Sequence, residues 1–198
     1  MRRLEMQAGL ALLRTIVGGL FIGHGLQKLT GWFGGHGLKG TGEFFEAIEL
    51  RPGVAHAAAA GAAEAGGGAL VAAGLQTPLG AAVLSGTMIT AIRKVHLSKG
   101  VWASDGGYEY NLVLLAIVFA LSDVGPGRLS LDAARGGERK GLGWALAQLA
   151  AGAIGSTVAI ELGKRQPASA SSQAEQPGTG ETASANGTVT EMADADAA

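Results

Sequence analysis

Residues 8–29 read AGLALLRTIVGGLFIGHGLQKL. A bilayer is crossed by one helix of roughly 20 apolar residues, so this stretch is long enough. It nevertheless carries Arg14, His24 and Lys28. Residues 54–75 form a second apolar stretch, rich in Ala and Gly, with one acid, Glu64, near its middle. An Arg, Lys or Asp at the centre of an inserted helix costs about 2.5–3.5 kcal/mol on insertion scales, so such groups persist where they face one another or a polar cavity. Arg14, His24, Lys28 and Glu64 thus mark a membrane fold and the first place to look for function.

Three more apolar segments follow: one from Pro78 to about residue 95, one over residues 106–124, and one over residues 142–162. The first, second and fifth segments reach spanning length. The third and fourth do so with Arg93, Lys94, Glu109 and Asp123 placed at the interfaces, as helices inside a bundle can be. Gln76-Thr77-Pro78 is a tight turn that makes segments two and three a hairpin, with Pro in a helical first turn. The link between segments one and two holds residues 42–50, where Phe44, Phe45 and Ile48 oppose Glu43, Glu46 and Glu49. That spacing predicts a short amphipathic helix at the interface.

The expected fold is all-α: a transmembrane four-helix bundle over residues 1–132, then a charged linker and a fifth transmembrane helix over residues 133–165. Residues 166–198 are acidic and rich in Ala, Ser, Thr and Gly, with no aromatic residue, Lys or Arg, which predicts a disordered tail. Arg2 and Arg3 begin like a signal peptide. Arg14 interrupts the apolar region and no small-residue cleavage site follows, so an uncleaved first helix is expected.

Composition narrows the chemistry. Charged residues are 16% of the chain and glycines number 34, against roughly 25% charge in soluble domains. Small residues let membrane helices approach closely. Gly19 and Gly23, and the stripe Ala147, Ala151, Gly155 and Ala159, are the candidate contacts. The absence of cysteine removes disulfides, thiolate nucleophiles and iron–sulfur clusters. Any redox role must use a bound cofactor, a quinone-like molecule or a partner subunit. No basic patch interleaved with aromatics points to nucleic acid.

If the segments alternate in direction, His24, His36, His56 and His96 all fall on one side, together with Lys28, Arg93, Lys94 and Glu109. A metal or haem site lacks the i, i+3 or i, i+4 histidine spacing that helical ligands need. His24 and Lys28, at i and i+4, share a helix face and suit a pocket for an anionic or quinone-type ligand. The competing reading is an interfacial cap, with Lys28, Arg93 and Lys94 reaching to headgroups. Arg14 and Glu64 are expected to pair between antiparallel neighbours, as a register-setting or a reactive pair, with a neutral Glu64 as a third reading. Lys and Arg counts on the two sides leave the orientation open.

The order of these pieces resembles the DoxX family of small bacterial membrane proteins. The matching residues are Leu13-Arg14, then Gly23-His24-Gly25-Leu26-Gln27-Lys28-Leu29, Gly42-Glu43-Phe44-Phe45 and Glu64-Ala65-Gly66-Gly67-Gly68-Ala69-Leu70. Met88, residues 91–94, Glu109-Tyr110-Asn111 and the run from Gly125 to Asp132 complete the series. It covers residues 8–132. The resemblance implies a four-helix bundle in the bacterial cytoplasmic membrane, N-terminus inside. It also implies a link to membrane redox systems, among them thiosulfate:quinone oxidoreductase and redox-stress complexes containing superoxide dismutase and a sulfurtransferase. The fifth segment and the acidic tail depart from a plain family member. The leading expectation is a component of a quinone-linked membrane redox complex, binding through His24, Lys28, Glu64, Arg93 and Glu109, with lipid and other subunits as partners. The alternative is a non-enzymatic scaffold or small-solute permease.

Overall fold

The computed structural model describes residues 2–167, with side chains from Gln7 onward. Of the predicted tail, residues 168–198 lie outside the described residues. Among the described residues there are seven α-helices and no strand: α1 (Arg2–Thr30), α2 (Gly37–Ala47), α3 (Gly53–Ala73), α4 (Thr77–Ala91), α5 (Glu109–Val124), α6 (Leu131–Ala134) and α7 (Leu142–Arg165). α4 continues through a π-helical turn, Ile92–His96.

The helix boundaries follow local chemistry. α3 ends at Gly74, whose φ of 62° needs no Cβ, and Leu75 N–H bonds back to Leu70 O. α5 begins at Glu109, later than the expected 106, because Gly106 turns the chain at φ 78°. The amphipathic helix expected over residues 42–50 lies at Gly37–Ala47.

α1 packs antiparallel on α3, α3 on α4, and α4 on both α5 and α7. The α1–α3 contact is set by glycine. A Cβ on Gly18 would fall 2.5 Å from Gly68 O, and one on Gly25 2.6 Å from Gly61 O. Gly19 and Gly23, the expected contact pair, face open space instead. On α7 the buried face is Ala145, Gln148, Gly152, Ser156, Ile160 and Gly163. The expected stripe lies one position round, because the polar residues of the buried face find partners on α4. Ser85 Oγ donates to Gln148 Oε1 (2.9 Å), and Thr90 Oγ1 bonds to Ser156 Oγ (3.0 Å).

Arg14 and Glu64 do not pair. The Gly18–Gly68 register sets Arg14 against Gly74, ten residues beyond Glu64, or about 15 Å along the helix. There Arg14, 5% exposed, donates from Nη2 to Leu129 O. The same end is tied by buried Asp132, which accepts from Gln76 N (2.9 Å), Thr77 N (3.1 Å) and Thr77 Oγ1 (3.2 Å).

The apolar core, including Val17, Phe21, Val71, Leu84, Val118 and Leu121, fills the Arg14 half of the molecule. α1 from Gln7 to Thr30 and α7 are long and apolar enough to cross a membrane. Their outer faces carry exposed Leu12, Ile16 and Leu20 on α1, and Leu146, Ile154, Val158 and Leu162 on α7.

Candidate functional site

The other half of the molecule carries an open cavity. A cavity of about 860 Å³ opens where α1 ends, α3 begins and α4 ends, with walls from α1 to α5 and from α7. Its lining is mainly apolar and small: Phe21, Phe44, Phe45 and Leu114 among the larger groups, with many alanines and glycines between them. On α3 the wall is mostly alanine, Ala59, Ala60 and Ala63, with His56 at its start.

Polar groups enter this lining at few points. Lys28 Nζ donates to Glu64 Oε2 at 2.5 Å, and the two side chains are 24% and 6% exposed. Charge-assisted hydrogen bonds are the stronger kind. This one fixes an ammonium on the cavity wall and satisfies a carboxylate that would otherwise be stranded among alanines. His24 Nδ1 bonds to Gln27 Oε1 (3.0 Å), whose own amide donates to Phe33 O (3.1 Å). Gln27 Oε1 can only accept, so His24 Nδ1 carries the proton and a neutral ring keeps Nε2 as an acceptor. His96 Nδ1 donates likewise to Gly106 O (2.7 Å). Lys94 lies on the same wall, held by Glu49 Oε2 at 3.2 Å.

The residues singled out from the sequence divide into two groups. His24, Lys28 and Glu64 line the cavity together, as do His56 and His96. Arg93 and Glu109 do not line it. Arg93 Nη1 donates to Thr157 Oγ1 on α7 (3.0 Å), and Glu109 Oε2 accepts from Ala103 N (3.0 Å). Both sit at the expected end of the molecule but are spent on holding α7 and the loop before α5. His36 precedes α2 and is also outside the lining.

Asn111 entered the sequence reading only as part of the family resemblance and not as a site residue, yet it is 7% exposed on the cavity wall. The signal was present: Asn111, Leu114, Val118 and Leu121 recur at helical spacing, placing the amide on the inner face of α5. Among the described residues no group of three or more His, Asp or Glu is arranged to hold a metal ion.

Comparison with known proteins places the chain in a family. The sequence model of the DoxX family matches residues 9–97, which carry Lys28, Glu64 and most of the cavity wall. The chain is 36% identical over 128 residues to the protein named "Putative oxidoreductase CatD" of Bacillus subtilis (strain 168), an alignment that covers 65% of this chain and 87% of that protein. No solved structure matches the chain. The chain belongs to the DoxX family.

Proposed function

We propose that this chain is a multi-pass protein of the bacterial cytoplasmic membrane and the quinone-binding component of a membrane-bound redox complex. In this reading residues 1–132 form a bundle of four crossing helices, α1, α3, α4 and α5, with α2 at the interface. Residues 133–165 add a linker and a fifth crossing, α7, and residues 166–198 form a tail available to partner subunits. The apolar outer faces of α1 and α7 support lipid contact.

The observation that carries the proposal is the Lys28–Glu64 pair on the wall of an apolar cavity. The cavity is within the roughly 300–1,000 Å³ range of small-molecule sites. A quinone ring is apolar and presents two carbonyl acceptors. Alanine, phenylalanine and leucine surfaces suit the ring, and the Lys28 ammonium, oriented by Glu64, suits one carbonyl. His24 stands one turn away on the same face. With no cysteine of its own, the chain passes electrons only through what it binds, so the quinone and a partner subunit supply the redox chemistry. The name of the Bacillus subtilis relative supports the redox half of this reading. A small-solute permease would need a path through the molecule, and the packed core below Phe21 supports a blind cavity instead.

The test is titration of the full-length protein in nanodiscs with a water-soluble menaquinone or ubiquinone analogue. Saturable binding is expected, weakened about tenfold or more by Lys28→Met, since a hydrogen bond to a charged group contributes about 1.5–3 kcal/mol. Absence of saturable binding to the wild type would overturn the proposal.

A further inference from the structure

One buried amide faces the cavity without an adequate partner. Asn111 is 7% exposed, yet the side-chain hydrogen bond it makes among the described residues runs from Nδ2 to the thioether Sδ of Met88, at 3.4 Å. A thioether is a weak acceptor. An amide in an apolar interior ordinarily finds a carbonyl or hydroxyl, because leaving its protons unmatched is unfavourable. Asn111 and Met88 both line the cavity, as does Lys28 on the α1 side. Leu at this position would pack on the α5 inner stripe with Leu114 and leave nothing unsatisfied. The amide is therefore a poor choice for packing alone.

We propose that Asn111 is a second ligand-contact residue, donating from Nδ2 to a carbonyl oxygen of the bound ring while Lys28 holds the other. The inference rests on the quinone reading of the cavity and narrows it. The ligand is a ring with two acceptor oxygens, held from α1 and from α5. An apolar chain alone, or a ring with one polar head, would leave Asn111 unmatched.

The experiment compares wild type and Asn111→Leu, full length in nanodiscs, with two probes: 1,4-naphthoquinone, which has two carbonyls, and 1-tetralone, which has one. Wild type is expected to bind the quinone about 3- to 10-fold more tightly than the tetralone, the contribution of one neutral hydrogen bond. Asn111→Leu is expected to bind the two alike, at the weaker level. Its melting temperature without ligand is expected to equal or exceed that of wild type. Equal quinone affinity in wild type and variant would overturn this inference and leave the cavity reading standing. A lower ligand-free melting temperature, or failure to fold, would also overturn it, since the amide would then be a packing element. If the quinone does not bind wild type at all, the cavity reading itself fails.

Discussion

At the scale of single residues, the Lys28–Glu64 pair is asymmetric, and that asymmetry predicts how it breaks. Glu64 is the deeper partner, 6% exposed against 24% for Lys28. Lys28→Met leaves a carboxylate among alanines, and removing one partner of a buried pair costs about 3–5 kcal/mol. Glu64→Gln keeps an acceptor for a lysine that still reaches water, so its cost is smaller. Thermal unfolding in one detergent should rank wild type, then Glu64→Gln, then Lys28→Met. The double change Lys28→Met with Glu64→Leu should recover most of the loss while leaving quinone binding as weak as in Lys28→Met; a double variant no more stable than Lys28→Met would contradict this. The charged residues were visible in the sequence because each interrupts an apolar run. Their partners were not visible. A helix sequence shows which face a residue lies on, but the register between two helices is decided by the closest backbone approach. Here Gly18 against Gly68 and Gly25 against Gly61 slide Arg14 a full 15 Å or so past Glu64. In the same way, the alternation of segment direction put Arg93 and Glu109 at the correct end, but only the packing of α7 and the turn at Gly106 decide that they face away from the cavity.

Elements are held to one another by two devices, close glycine contact and polar clamps, and each gives a prediction. Gly18→Ala would drive a Cβ to 2.5 Å from Gly68 O and 2.7 Å from Ala72 N, backbone atoms that cannot move aside. Overpacking of this kind costs about 1–3 kcal/mol. Gly19→Ala meets nothing within 4 Å and should leave the melting temperature unchanged or raise it, as Ala favours helix over Gly. Equal behaviour of these neighbouring changes would refute the α1–α3 register. The second device is Asp132, which caps α4 from 55 residues away. Asp132→Ala uncaps two backbone N–H groups and the Thr77 hydroxyl in a buried site, a loss of about 1–2 kcal/mol at least. Limited proteolysis should then cut between residues 125 and 141 sooner than in wild type. The order of the longer helices was legible from apolar run length, from the amphipathic pattern after the first segment and from the turn at Gln76-Thr77-Pro78, but the four-residue α6 was not. The packing face of α7 was not, because every face of a Gly/Ala-rich helix offers small residues. The choice fell to Gln148 and Ser156, whose partners Ser85 and Thr90 lie on another helix.

For the whole molecule the proposed membrane topology is the decisive matter, and α7 is the discriminating helix. Its 24 residues extend about 36 Å, enough for a hydrocarbon core of roughly 30 Å. Just before it, Arg139 bonds to Gln76 in the α3–α4 turn; near its end, Gly163 abuts the backbone of Glu49 and Leu50 after α2. The helix therefore runs from one end of the molecule to the other beside α4. Five crossings place the loops near Lys39 and Ser98 on one side, the linker near Arg135 on the other, and residue 166 onward with Lys39 and Ser98. Four crossings, with α7 lying flat, would leave residue 166 onward on the side of Arg135. The chain has no cysteine, so single introduced thiols report without background. Lys39→Cys, Ser98→Cys and Gln166→Cys should react with an impermeant maleimide from the same face of sealed vesicles, and Arg135→Cys from the opposite face. If Gln166→Cys labels with Arg135→Cys instead, α7 does not cross. That outcome would also refute the packing of α7 beside α4 from one end of the molecule to the other. The labelling pattern thus decides the topology, and it does so without knowledge of the ligand.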